Sequence, residues 1–185
     1  MLCCECLAET ASYRCAVCGL VTVCSIACGT KHDLLSHDVS AIANEVAPGV
    51  WISGVEALKD KRFMSKISAV VTAFPIGRVD ETELSRLLEG KSRLRVAIED
   101  MKDAEIENYF ESTAEFISRH VAQGHNVLVH CFKGLSRSVT LVIYYMVTRL
   151  GYRSVDLALD HIKKVRPNIH PNPGFLQKLH AATKT

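Results

Sequence analysis

The chain of 185 residues carries a formal net charge of +2, with 48% hydrophobic and 23% charged residues. That balance suits a soluble globular protein with room for one domain of common size, about 100–150 residues, and a small appendage. It excludes a strongly basic nucleic-acid binder, and no run approaches the roughly 18 apolar residues of a membrane-spanning helix.

The opening MLCCECLAE is broken by Glu5 and Glu9 before an apolar core of signal-peptide length develops, so the expected setting is intracellular, cytoplasmic or nuclear, with no membrane contact. Seven of the eight cysteines (Cys3, Cys4, Cys6, Cys15, Cys18, Cys24, Cys28) fall in the first 28 residues, and only Cys131 lies beyond them. Two jobs for cysteine follow, and with them two domains: residues 1–40 and residues 44–185.

In the head, the order is Cys3-x2-Cys6-x8-Cys15-x2-Cys18-x5-Cys24-x3-Cys28-x3-His32-x4-His37. A Cys-x2-Cys turn aims both sulfurs at one ion, and residues four apart on a helix share a face. Cys24 with Cys28, and Cys28 with His32, are therefore geometrically fit for ligation. Eight ligands match two tetrahedral zinc ions. The competing reading is a disulfide scaffold or buried thiols, which an odd number of cysteines and a reducing compartment disfavour. A head this short buries too little apolar surface to fold alone, so the metal is expected to supply folding free energy. Arg14 and Lys31 stand against Glu5, Glu9, Asp33 and Asp38, and six thiolates on two Zn²⁺ would make the head more acidic still, a poor grip on phosphate backbones.

At Tyr13-Arg14-Cys15-Ala16-Val17-Cys18, at Val23-Cys24-Ser25-Ile26-Ala27-Cys28 and at Lys31-His32, the head resembles the HIT and MYND zinc-finger families, HIT being the nearer. The resemblance implies Cys3, Cys6, Cys24 and Cys28 on one ion and Cys15, Cys18, His32 and His37 on the other. It also implies a protein partner, as such fingers have in ribonucleoprotein assembly complexes. The sequence departs from these families at His37, where they usually end in cysteine; imidazole can substitute chemically. Cys4 is left over, because Cys4-x-Cys6 is too tight for the usual knuckle.

After Ala47-Pro48-Gly49, Val50-Trp51-Ile52 and Ala69-Val70-Val71 read as strands, and Arg95-Val96-Ala97-Ile98 as another. From Glu105 onward, Ile106, Phe110, Ala114, Ile117 and Val121 fall at helical spacing until Gly124, with Asp103 placed as N-cap. The strand Val127-Leu128-Val129 comes next. His130-Cys131-Phe132-Lys133-Gly134-Leu135-Ser136-Arg137-Ser138 then leads into an apolar helix from Val139 to Leu150. Such a strand, tight loop and helix N-terminus converge backbone N–H groups on one point, where an anion is expected. Helix N-termini and nearby cations favour the thiolate, the nucleophilic form of cysteine. Arg137 can fork onto two phosphate oxygens, and Gly134 permits the turn. Taken singly, a cysteine after a strand is a small buried hydrophobe and an arginine a surface ion-pair partner. The complete string is far more specific.

At this string the sequence resembles the dual-specificity branch of the protein tyrosine phosphatase family, whose loop is HCxxGxxRS/T. Ile98-Glu99-Asp100 lies 31 positions before Cys131, as is usual in that branch, and Val50-Trp51-Ile52-Ser53-Gly54 and Pro171-Asn172-Pro173-Gly174-Phe175 extend the match. The implied fold is α/β, a central mixed sheet flanked by helices, with the two-zinc module in front. The implied site has Cys131 as nucleophile and Arg137 as phosphate binder, with Phe132, Lys133, Gly134, Leu135 and Ser136 as the phosphate loop. Ser138 helps the sulfur leave, and His130 orients the loop. Asp100 is the general acid, with Glu99 or Asp103 as alternatives. Asn172 braces the loop or caps a helix that starts at Pro173. No cofactor is implied for the hydrolysis.

The implied substrates are phosphotyrosine and phosphoserine or phosphothreonine proteins; relatives with the same chemistry act on phosphoinositides, RNA 5′ ends or phosphoglycans. Lys133 adds positive charge that favours acidic or multiply phosphorylated ligands. The alternative is an interaction protein whose finger does the work while catalysis is secondary. His120, His125, His161, His170 and His180 show no ligand spacing, so surface or helix-end positions are expected, and Tyr144-Tyr145-Met146 reads as core packing.

Overall fold

Runs of β-branched and small apolar side chains build a five-stranded sheet in the computed structural model, which describes residues 41–183 and, before them, only the paired strands β1 (Tyr13–Arg14) and β2 (Thr22–Val23). Cys3, Cys6, Cys15, Cys18, Cys24, Cys28, His32 and His37 lie outside the described residues. The main sheet comprises β3 (Asn44–Ala47), β4 (Val50–Ser53), β5 (Ile67–Ala73), β6 (Ser92–Val96) and β7 (Asn126–His130), in the order β3-β4-β7-β5-β6. β3 and β4 form an antiparallel pair turning at Pro48-Gly49, and the other neighbours are parallel. The sheet is therefore mixed.

Parallel strands are covered on both faces, which is why β5 and β7 carry the continuous apolar runs Ala69-Val70-Val71 and Val127-Leu128-Val129. Ala69, Val71, Val127 and Val129 face one cluster and Val70 and Leu128 the other, the alternation that the pleat imposes. The larger cluster is closed by α3 (Phe110–Ala122), α4 (Arg137–Arg149), α5 (Val155–Val165) and α6 (Pro173–Ala182), the smaller by α1 (Lys61–Met64) and α2 (Glu81–Leu87). Caps fix where helices start. Asp80 Oδ1 accepts from Thr82 N and Glu83 N at the head of α2, and Ser154 Oγ accepts from Leu157 N at the head of α5. Among the described residues, no helix is long and apolar enough to cross a membrane.

Several expected boundaries move. The strand expected at 95–98 is Ser92–Val96, because Ile98 N bonds back to Val96 O (3.0 Å) and turns the chain out of the sheet. Asp103 does not cap the next helix. A 3-10 turn, Ile106–Tyr109, comes first with Glu105 ahead of it, and α3 starts only at Phe110. Of the five residues at helical spacing, Ile106, Phe110, Ala114 and Ile117 are buried as expected and Val121 is half-buried. α4 begins two residues earlier than Val139, since Ser136 O already accepts from Thr140 N. His120 is buried in the last turn of α3, with its Nδ1 3.5 Å from His125 Nδ1, so this pair meets in space although its spacing gave no hint. Tyr145 and Met146 are core residues, while Tyr144 stacks on Phe110 and donates to Glu111.

Candidate active site

β7 lies between β4 and β5, so the loop that follows it opens at the centre of the sheet's C-terminal edge. This is where parallel α/β sheets receive ligands. Cys131 N still bonds Ser53 O (3.4 Å), a last rung of the β4–β7 ladder, and then the chain turns over itself to α4.

Residues 132–136 have their carbonyls engaged one after another by groups outside the loop. Phe132 O accepts from Val55 N, Lys133 O from Arg166 Nη2, Gly134 O from Arg166 Nε, Leu135 O from His170 N, and Ser136 O from Thr140 N and Oγ1. A trans peptide points its N–H opposite its C=O. Five outward carbonyls therefore turn the N–H groups of residues 133–137 toward the inside of the loop. Gly134 shows this directly, its N–H donating to Cys131 Sγ at 3.2 Å. Gly134 has a φ of +72°, and a Cβ there would overlap the Ser53 carbonyl. Both facts demand glycine.

Cys131 is a free thiol, 1% exposed, and also accepts from Ser138 Oγ at 3.4 Å. Arg137 is buried at the first position of α4. Its Nη1 donates to Ile98 O (3.2 Å), while its Nε has no hydrogen-bond partner among the described residues and lies 3.6 Å from Asp100 Oδ2. An orphaned cationic donor in the interior is costly, and an anion that accepts from it relieves that cost.

Asp100 Oδ1 accepts from Ser136 Oγ (2.7 Å) and Asn172 Nδ2 (2.8 Å). The two roles expected for Asn172 coexist: its Nδ2 reaches Asp100 while its Oδ1 caps α6 through Phe175 N (2.9 Å), with Pro173 at the first turn. Glu99 instead pairs with Arg78, and of the three acidic side chains it is Asp100 that bonds to the loop, through Ser136 and Arg137. His130 is fully buried behind it, Nε2 2.9 Å from Thr72 Oγ1. Burial pushes its pKa down to about 3; the Cys131 backbone opposes this and the Arg95 charge adds to it. It is neutral at physiological pH and holds the strand end rather than moving protons. Phe132 and Lys133 are exposed at the rim, and Leu135 is half-buried.

Arg166 escapes sequence reading, and so does the bond to Asp100 made by Ser136, a residue expected in the phosphate loop. Arg166 sits 35 positions after Cys131 with no motif around it beyond Arg-Pro, and Ser136 is known to hold Asp100 only once both are placed. A buried guanidinium is a tertiary fact, and beside Lys163 and Lys164 this arginine reads as one more surface charge.

Residues 55–185 match the family described as dual specificity phosphatase, catalytic domain. The chain belongs to the dual specificity phosphatase family. Dual specificity protein phosphatase 15 of Mus musculus is 35% identical over 139 residues, which cover 73% of this chain and 55% of that protein. The tyrosine-protein phosphatase yvh1 of Schizosaccharomyces pombe is 40% identical over 89 residues, 48% of this chain and 27% of that one. The crystal structure of DUSP15 superposes with a TM-score of 0.67 at 29% identity, over 76% of this chain and 86% of that one. The chain spans about half the length of the first curated relatives it matches, 45% and 55%.

Proposed function

We propose that this chain hydrolyses phosphate monoesters on phosphotyrosine and phosphoserine or phosphothreonine proteins through a phosphocysteine intermediate. The observation that carries the reading is the set of inward amides around the Cys131 sulfur, with the buried Arg137, whose Nε has no hydrogen-bond partner among the described residues, at the end of the same loop. Those amides and the fork of Arg137 hold three phosphoryl oxygens and the charge that builds on them in transfer.

The Cys131 thiolate attacks phosphorus as the ester P–O bond breaks, and Asp100 gives its proton to the departing oxygen. The carboxylate so formed then takes a proton from water as the water oxygen attacks phosphorus. The S–P bond breaks, inorganic phosphate leaves, and the Ser138 hydroxyl, 3.4 Å from the sulfur, stabilises the returning thiolate. Protein substrates are favoured by the family and by the exposed rim of Phe132, Lys133 and Met101.

Residues 1–40 are proposed as a separate module in which Cys3, Cys6, Cys15, Cys18, Cys24, Cys28, His32 and His37 hold two structural zinc ions and which takes a protein partner. Residues 44–185 form the catalytic domain in this reading, with no cofactor in the hydrolysis. A thiol nucleophile suits a reducing compartment, the cytoplasm or the nucleus.

Phosphate release from an aryl phosphate and from phosphopeptides tests the reading in wild type, Cys131→Ser and Asp100→Ala. Cys131→Ser is expected to fall by at least about 10⁴-fold, the scale on which removing a nucleophile acts. Equal rates would end the enzymatic reading and leave the finger's partner as the function. Metal analysis should find two zinc ions per chain; a metal-free, folded protein prepared without chelator would remove the zinc module.

A further inference from the structure

The hydrolytic steps leave one buried charge unused. Arg166 follows α5, is 5% exposed, and faces two ways. Toward the loop, Nε donates to Gly134 O at 2.8 Å and Nη2 to Lys133 O at 3.2 Å. Away from it, Nη1 donates to Ile42 O at 2.9 Å and to Asn44 Oδ1 at 2.8 Å. Ile42 lies in the stretch that leads from the cysteine-rich head into β3, and Asn44 is the first residue of β3 itself. One planar guanidinium thus holds two of the five outward loop carbonyls on one side and, on the other, the point where the chain from the head enters β3. A flexible point charge could not span both in fixed geometry.

Lys133 O and Gly134 N–H belong to the same peptide. Holding that oxygen outward is what aims the Gly134 N–H at Cys131 Sγ, and holding Gly134 O outward aims the Leu135 N–H inward. Gly134 is the residue most able to let these peptides rotate. A rotated peptide would present a carbonyl oxygen to the incoming phosphate, repelling it. The loop depends on an external hold at this point, and Arg166 supplies it. Burial pushes the Arg166 pKa down to about 10 and attraction to the Cys131 thiolate opposes that, so the cation persists at neutral pH.

Resting on the phosphatase reading, we infer that Arg166 is a positioning residue for the phosphate loop and that Ile42–Asn44 is the second jaw of its clasp, so that docking of the chain from the head sets the orientation of the loop amides. The head then acts on catalysis through its tether, without touching substrate.

The test uses the full chain with Arg166→Met, Arg166→Lys and Asn44→Leu, beside Cys131→Ser. Three quantities are measured: kcat and KM for para-nitrophenyl phosphate across pH, inhibition by inorganic phosphate, and the pH dependence of Cys131 alkylation by iodoacetamide. Arg166→Met is expected to lose about 100-fold in kcat/KM, the scale of an ångström-level misplacement, and to bind phosphate about tenfold more weakly. Its alkylation profile moves to higher pH, because a cation and an aimed amide are lost from the thiolate. Arg166→Lys keeps the charge but not the fork, and recovers the alkylation profile more than the rate. Asn44→Leu leaves Arg166 in place and is expected to lose about three- to tenfold in kcat/KM with weaker phosphate inhibition. If Arg166→Lys and Asn44→Leu stay within about twofold of wild type on all three readouts, the clasp is overturned; so it is if every loss tracks the folded fraction with the alkylation profile unmoved. Equal rates in wild type and Cys131→Ser would overturn the phosphatase reading instead, a separate result.

Discussion

The two halves of the site are built differently. Residues 131–137 are held by groups from the 3-10 turn at Val55, from Arg166, from His170 and from α4, and Cys131, Gly134, Ser136 and Arg137 are buried. Residues 99–103, which bring Asp100, form no helix or strand, and Asp100, Met101, Lys102 and Asp103 are all exposed. They are held at a few points: where Ile98 O, just ahead of them, meets Arg137, where Glu99 pairs with Arg78, where Asp100 meets Ser136, Asn172 and Arg137, and where the Lys102 backbone lies under Gly174. The attacking half is preformed by the scaffold, while the proton-donating half is docked onto it. Damage to the first should abolish phosphate binding and chemistry together; damage to the second should spare the loop and be felt most by substrates whose leaving group needs a proton.

After the nucleophile itself, the largest effect is expected at Arg137. Arg137→Lys keeps a charge but loses the fork, and kcat/KM should drop by about 10³-fold with phosphate inhibition weakened in parallel. Steady-state rates and phosphate Ki check this; a fall in rate with Ki unchanged would mean that Arg137 serves only the fold. Asp100→Asn should lower kcat by about 10²-fold on a phosphoserine peptide, the usual reach of general acid catalysis. On an aryl phosphate with a low-pKa phenol the loss should shrink to about tenfold or less, since that oxygen departs without a proton. Equal losses on both substrates would contradict the division between halves.

The same division explains what was legible in the sequence. The preformed half announces itself locally, because a strand, a loop with Gly134 where φ is positive, and a helix start must be contiguous to make converging amides. The apolar runs of β4, β5 and β7 were readable for the same reason, being buried on both faces. The docked half is assembled from distant pieces. Asp100 was found only through its distance from Cys131, and Glu99 and Asp103 could not be set aside until their side chains were placed. Asp103 was misread as a cap because the local pattern carried no sign of the 3-10 turn that delays α3. Arg166 and Ser136 act through partners 32 and 36 positions away. No periodicity encodes that.

A sharper probe of the docked half is Gly174. A Cβ at this position would overlap the Lys102 carbonyl, so Gly174→Ala must push α6 and the Asp100 segment apart. The expected result is about a tenfold loss of kcat on the phosphoserine peptide, as for a modest misplacement of a catalytic group, with Cys131 alkylation and phosphate inhibition near wild type. Helix propensity favours alanine over glycine by only roughly 0.5–1 kcal/mol, which a Cβ overlapping backbone outweighs, so some loss of stability is expected beside the kinetic effect. Thermal melting beside the kinetics separates the two: a variant that loses both stability and loop chemistry would show that Gly174 packs the whole domain rather than the acid segment.

The smallest effect tests the preformed half from behind. His130 has an ordinary pKa of 6.5 in the unfolded chain and about 3 when folded, because burial disfavours its charged form. Below pH 6.5 the unfolded chain binds a proton that the folded chain refuses, so this histidine makes stability fall as pH drops, until the folded state is protonated too, near pH 3. Above pH 6.5 both states are neutral at this residue and its contribution is flat. The slope it adds within the window is at most about 1.4 kcal/mol per pH unit. Urea denaturation from pH 7.5 to 4.5 should show a shallower decline in His130→Gln, whose amide can still reach Thr72, than in wild type. The difference should be about 1 kcal/mol per pH unit and vanish above neutrality. Parallel lines across the whole range would mean that His130 is charged in the folded protein, and the neutral support behind the loop would have to be replaced by an imidazolium acting on the thiolate.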